Sequence, residues 1–180
     1  MSELMRDEKT YTGNVEITAS TAAEWHKKLK GIEEITGNLN VYDSAKLDAP
    51  DLTSVGGDLY VYSSAKLDAP DLTSVGGNLN VYGSAKLDAL TSVGGYLYVY
   101  SSAKLDALTS VGGNLNVYDS AKLDAPDLTS VGGDLYVYDS AKLDAPDLTS
   151  VGGNLNVYGS AKLDALTSVS MQISTQNIRR

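Results

Sequence analysis

The chain has 180 residues, 42% of them hydrophobic, and no cysteine, so it has the length for one continuous core but no disulfide, thiolate chemistry or cysteine-held zinc. A net charge of −9 argues against a nucleic-acid partner, because phosphate binding needs clustered Lys and Arg, and residues 36–169 hold 7 Lys against 16 Asp. No apolar run approaches the roughly 18 residues of a membrane span, and the charged residues 1–10 lack the apolar stretch of a signal peptide, which gives a cytoplasmic expectation by default or a lost leader.

Residues 1–12 read as a flexible N-terminal segment and residues 13–35 as a degenerate first rung with a capping helix. Gly13-Asn-Val-Glu-Ile17 aligns with Gly37-Asn-Leu-Asn-Val41. Between them Thr21-Ala-Ala-Glu24 has the form of a capping box, and Trp25, Leu29 and Ile32 follow at helical spacing, with Gly31 near the stop. An open strand edge recruits other strands, so a helix over residues 21–31 is the expected cap, with Trp25 and Leu29 on the first core cross-section. His26 is the only histidine and is expected to be an ordinary helix-surface residue.

Residues 36–169 repeat. The apolar residue at the end of each unit recurs at Ile35, Val55, Val75, Val93, Val111, Val131, Val151 and Val169, in steps of 20 or 18. The shorter units have Asp-Ala-Leu where the longer have Asp-Ala-Pro-Asp-Leu, which places the two-residue difference in that turn. A superperiod of 76 also exists: residues 37–93 match 113–169 except for Ser63 against Asp139. So close a copy implies recent duplication or engineering.

Within a unit, Leu59 and Val61, then Ala65, Leu67 and Ala69, are spaced by two, the period of a strand whose alternate side chains face opposite sides. Gly56-Gly57 and Pro70-Asp71 supply turns between the apolar groups. The expected fold is therefore all-β: a right-handed parallel β-solenoid of about eight 18–20-residue coils, with columns of identical side chains and a core that only neighbouring coils complete. Residues 170–180 form the expected C-terminal cap or tail.

The repeat predicts several outward columns. Lysines at 46, 66, 86, 104, 122, 142 and 162 run beside aspartates at 48, 68, 88, 106, 124, 144 and 164 as a self-compensating charge stripe, not a calcium site. Ser44, Ser64, Ser84, Ser102, Ser120, Ser140 and Ser160 mark one corner, where a ladder of bonds to turn backbone is expected. Thr53, Thr73, Thr91, Thr109, Thr129, Thr149 and Thr167 form a single column, the basis of a minor ice-binding expectation. The candidate binding face is aromatic. Tyr42, Tyr62, Tyr82, Tyr100, Tyr118, Tyr138 and Tyr158 form a continuous column, and the adjacent one alternates Asn40, Tyr60, Asn80, Tyr98, Asn116, Tyr136 and Asn156, with Tyr96 nearby.

The run Leu-Thr-Ser-Val-Gly-Gly-x-Leu-x-Val followed by Lys-Leu-Asp-Ala resembles bacterial leucine-rich-repeat sequences of the receptor L-domain kind, over residues 36–169. That resemblance implies a right-handed solenoid used mainly for binding. The units are shorter than usual, have Ser where Asn commonly stands and lack a long helical side, so a straight prism is expected rather than a horseshoe.

Reactive side chains recur in equivalent places instead of converging, so no catalytic residue, metal or cofactor is expected. The functional expectation is a non-enzymatic repeat scaffold, monomeric with a tendency to edge-to-edge association. Its tyrosine and asparagine face either binds an extended or multivalent protein, or a glycan, or has no ligand and simply stabilises the sheet.

Overall fold

Apolar residues at every second position make strands with one greasy face, and no 18- to 20-residue unit can bury that face by itself. In the computed structural model, which describes residues 9–62 and 64–164, the units meet this demand by stacking as coils of a parallel β-solenoid. Residues 1–8 of the N-terminal segment, Val169, Thr167 and the tail 170–180 lie outside the described residues.

Each coil has three sides. The first is an eight-stranded sheet of two-residue strands running from Thr10–Tyr11 through Glu34–Ile35 to Ser150–Val151. The second is an eight-stranded sheet of three-residue strands from Val15–Ile17 through Leu39–Val41 to Leu155–Val157. The third is divided into a three-stranded sheet of Lys46–Asp48, Lys66–Asp68 and Ser84–Lys86 and a four-stranded sheet from Ala103–Lys104 to Lys162–Asp164. In the leading coil the helix Ala22–Lys28 takes the third side's place, so one two-stranded coil precedes seven three-stranded ones. Every pairing is parallel and follows chain order, as in Leu59, Leu79 and Leu97 aligned across three coils. The inward Leu and Val columns are sealed: Leu59, Leu79, Leu97, Leu115 and Leu135 are all fully buried. Each such side chain contributes about 1.5–3 kcal/mol relative to exposure.

The third and fourth of the seven three-stranded coils differ from the sequence alignment. Their two missing residues are not removed from the Asp-Ala-Leu turn but from the corner before it. Ser84, Ala85 and Lys86 pair with Lys66, Leu67 and Asp68, while Ala103 and Lys104 pair with Leu123 and Asp124. Gly83 makes the short corner possible, since a Cβ there would lie 2.3 Å from the Tyr62 carbonyl oxygen and 2.5 Å from that of Ala65. The turn keeps its hydrogen bond, with Leu90 N–H donating to the Leu87 carbonyl as Leu72 does to Ala69, both at 3.2 Å. Packing survives because Leu and Ala exchange places. Buried Leu87 and Leu105 occupy the sites of Ala69 and Ala125, while Ala85 and Ala103 take those of Leu67 and Leu123, so coil volume is conserved.

Charge moves with the register. Lys86 and Lys104 leave the expected lysine column and stand in the aspartate column. Lys86 Nζ lies 3.7 Å from Asp68 and 4.0 Å from Asp88, and Lys104 pairs with Asp106. The serine ladder is also absent among the described residues. Ser44, Ser64, Ser120 and Ser140 are exposed and bonded through no side-chain oxygen among the described residues. Backbone closes that corner instead, with Ala45 N–H donating to the Tyr42 carbonyl at 3.0 Å and Asp43 turning the chain at φ 52°.

The helix departs from expectation in two respects. Thr21 makes no side-chain cap bond; its Oγ1 accepts from the Thr18 N–H at 2.9 Å, so the capping box does not form, and Glu24 pairs with Lys28 at 2.6 Å. The helix also runs beside the third-side strand Lys46–Asp48, where His26 Nε2 accepts the Asp48 N–H at 2.9 Å. His26 is thus an edge partner rather than a plain surface residue. Leu29 is buried in the core, while Trp25 packs partly buried against it and edge-on to Tyr11 at 5.5 Å. Among the described residues no helix is long and apolar enough to cross a membrane.

Candidate binding face

Strand alternation on the second side sends Leu and Val inward and the residue between them outward, and the tyrosine after Val follows at the strand's end. Parallel register then brings each tyrosine onto the one before it. The column from Tyr42 to Tyr158 is stacked at all six steps, with ring centroids 4.0–6.3 Å apart and planes within 24°. Face-to-face contact of this kind, offset along the stack, adds about 0.5–1.5 kcal/mol per pair beyond burial.

The adjacent column alternates as the sequence indicates, with Tyr60 between Asn40 and Asn80, and Tyr98 between Asn80 and Asn116. Its amides do not form a surface, however. Asn40, Asn80 and Asn116 are only 9%, 6% and 5% exposed, screened by their tyrosine neighbours. The face therefore offers ring edges and phenol hydroxyls rather than a mixed aromatic and amide plane. Its most exposed members are Tyr96 at 44%, Tyr158 at 41% and Tyr82 at 38%. Tyr96 and Tyr98 meet edge-on at 6.0 Å, while Tyr60 and Tyr136 lie beside Tyr62 and Tyr138 at 6.1 and 5.7 Å.

A second ladder accounts for Tyr60 and Tyr136 in this alternation, though not for Tyr98, which follows Tyr96. The residue just before each second-side strand, where it is Asn or Asp, accepts through its side-chain oxygen the backbone N–H of its counterpart one coil on: Asn38 from Asp58 at 2.8 Å, Asp58 from Asn78 at 2.6 Å, and Asn78 from Tyr96 at 2.7 Å. The series resumes with Asn114 accepting from Asp134 at 2.8 Å and Asp134 from Asn154 at 2.6 Å. An aspartate has a second carboxylate oxygen to spare, whereas an asparagine has a donor there. Tyr136 hydroxyl donates to that spare oxygen of Asp134 at 2.9 Å, and Tyr60 approaches Asp58 at 3.4 Å. Aspartate thus goes with tyrosine and asparagine with asparagine, and no two aspartates are adjacent in the ladder. The signal was in the sequence, as the residue after Gly-Gly is Asn or Asp in every unit but the one with Tyr96.

These surroundings disfavour phenolate. Burial, first, raises the phenol pKa of Tyr42, Tyr60, Tyr98, Tyr100, Tyr118 and Tyr138; the charge of neighbouring phenols adds to it, while hydrogen bonds from Tyr82 to Tyr100 and from Tyr100 to Tyr118 partly offset the rise at Tyr100 and Tyr118. For Tyr136 the Asp134 hydrogen bond comes first. Tyr82 is pushed up to about 12, by its hydroxyl contact with Tyr100 and then by burial.

The first side carries a long open groove between serine and glycine columns, including Ser74, Gly76, Ser92 and Gly94. Beside it the threonine hydroxyls are already engaged: Thr73 Oγ1 donates to the Thr53 carbonyl, and Thr91 Oγ1 to that of Thr73, both at 3.0 Å. Comparison of the chain with protein-family models, curated proteins and solved structures finds no match.

Proposed function

We propose that this chain is a non-enzymatic repeat scaffold, recently duplicated or engineered, whose tyrosine-bearing second side docks an extended or multivalent protein partner. The observation that carries this is the unbroken register of the tyrosine column, which presents ring edges and hydroxyls once per coil. Tyrosine gives contact area at low entropic cost, and an evenly spaced row rewards a ligand that meets several coils at once. The resemblance to leucine-rich repeats supports a binding role as well.

The same stacking weighs against the glycan alternative, because sugar rings pack on aromatic faces and most faces here are covered by the next tyrosine. It is the exposed edges of Tyr82, Tyr96 and Tyr158 that favour peptide groups and side chains. Ice binding draws less support, since the threonine hydroxyls donate to backbone carbonyls.

Selection of peptides from a displayed random library, in parallel with a glycan array, tests the reading. The informative variant converts Tyr82, Tyr96 and Tyr158, the most exposed members of this face, to Asn. Selected peptides should bind the native chain and lose affinity at least about tenfold on the variant, with the sheet signal in circular dichroism retained. Peptides that bind both equally, or ligands found only on the glycan array, would overturn it.

A further inference from the structure

The tightest step in the tyrosine column is between Tyr82 and Tyr100. Their ring centroids are 4.0 Å apart with planes 9° from parallel, whereas the other five stacked steps span 4.5–6.3 Å. The backbone holds them there: Asn80 and Tyr98 are in register, and Tyr100 N–H donates to the Val81 carbonyl at 2.9 Å. Tyr82 is 38% exposed, so a dissolved oxidant reaches its ring. We propose that Tyr82 and Tyr100 are an oxidative modification site at which a one-electron oxidant forms an intrachain dityrosine bond between the third and fourth coils.

The chemistry is that of paired phenols. Each phenol gives one electron to the oxidant and its hydroxyl proton to water, leaving a neutral phenoxyl radical with spin on the ring carbons next to the C–O carbon. The two radicals join Cε to Cε in a new carbon–carbon bond. Each coupled carbon then loses its hydrogen as a proton while the adjacent oxygen regains one, which restores two phenols. In total the pair loses two electrons and two protons, and two equivalents of oxidant are reduced. Because Tyr82 has its pKa pushed up to about 12, it enters this sequence as the neutral phenol, and proton loss accompanies electron loss. Rings held in contact react with an effective concentration far above that of separate chains, so the link within one molecule outruns links between molecules.

The full chain, oxidised with less than one equivalent of photoexcited ruthenium tris-bipyridyl and persulfate, provides the test. Expected are dityrosine fluorescence, an unchanged monomer band on a denaturing gel, and a tryptic product joining peptide 67–86 to 87–104 with the loss of two hydrogens. Tyr100→Phe should reduce that product at least about tenfold, since Tyr98 and Tyr96 are not stacked on Tyr82. Tyr96→Phe should leave it intact, and the same treatment in concentrated urea should abolish the preference. A product that persists unchanged in Tyr100→Phe, links distributed evenly along the column, or a dominant bond between chains would each overturn the proposal.

Discussion

His26 takes the place of a strand at the leading edge of the third side. Its Nε2 accepts the Asp48 N–H that a preceding coil's carbonyl would otherwise accept. His26→Ala leaves that amide to water at a half-covered edge and should lower stability by about 1 kcal/mol, read as a shift in urea midpoint at constant slope. His26→Gln offers a carbonyl in its place and should recover part of the loss; equal stability of all three chains would show that the contact contributes nothing. Asp58 and Asp134 play a comparable part on the second side, where one carboxylate oxygen serves the next coil and the other faces a tyrosine hydroxyl.

Strands and corners show where one sequence has two structures. Gly83 and Gly159 occupy equivalent places in the 76-residue superperiod, yet their corners differ. Gly159 has φ +63°, matching Asp139 at φ 54° in the coil before it, and its strand keeps Lys162 opposite Lys142. Gly83 instead sits in the shortened corner against the Tyr62 and Ala65 carbonyls. A Cβ at Gly159 would lie 2.9 Å from the Asp139 carbonyl oxygen, a milder approach than the 2.3 Å at Gly83, so Gly159→Asp should cost about 1 kcal/mol, while Gly83→Asp should cost about 2 kcal/mol or more by overpacking against backbone. Thermal melts of the two variants decide it, and similar losses would contradict the two-corner description. The columns of Leu, Val and Tyr were legible because identical residues recur at a fixed period. The shifted strands were not, for a physical reason: a slip of one residue turns every side chain to the other face, but a slip of two preserves alternation and exchanges only Leu67-like and Ala69-like sites. The side-chain ladder was signalled only by a recurrent Asn or Asp at a turn position, and the His26 contact by nothing, because both join residues about one coil apart, at positions that local pattern marks as turn and helix surface. The failed capping box shows the converse, a local pattern that tertiary packing used differently when Thr21 turned back to Thr18.

The whole molecule is a stack in which each coil meets only its neighbours, so its weak points are its ends and its shared columns. Removing residues 1–35 strips Val15, Ile17, Leu29 and Ile35 from the core and bares the edges of Leu39–Val41 and Lys46–Asp48. The truncated chain should form oligomers that grow with concentration, Trp25→Ala should do so more mildly, and light scattering over a dilution series distinguishes them; a truncated chain that stays monomeric would show that the leading coil is not a cap. The tyrosine column gives the stack an alkaline limit. A phenol whose folded pKa lies above its unfolded value of 10.0 stabilises the fold fully below that value, and the contribution is lost as pH rises through the folded values, up to about 12 for Tyr82. Melting temperature should be level between about pH 7 and 9 and fall above about 10, with absorbance of phenolate near 295 nm rising late; a level melt through about pH 11.5 would contradict it. Nearest-neighbour stacking also has a genetic consequence. Near-identical stretches 76 residues apart invite recombination, and losing one such interval removes four coils, about 19 Å of prism at ~4.8 Å each, without touching either end. The gene for such a protein can thus alter the length of its product in whole steps, and every product keeps the same leading coil and an uninterrupted row of tyrosines behind it.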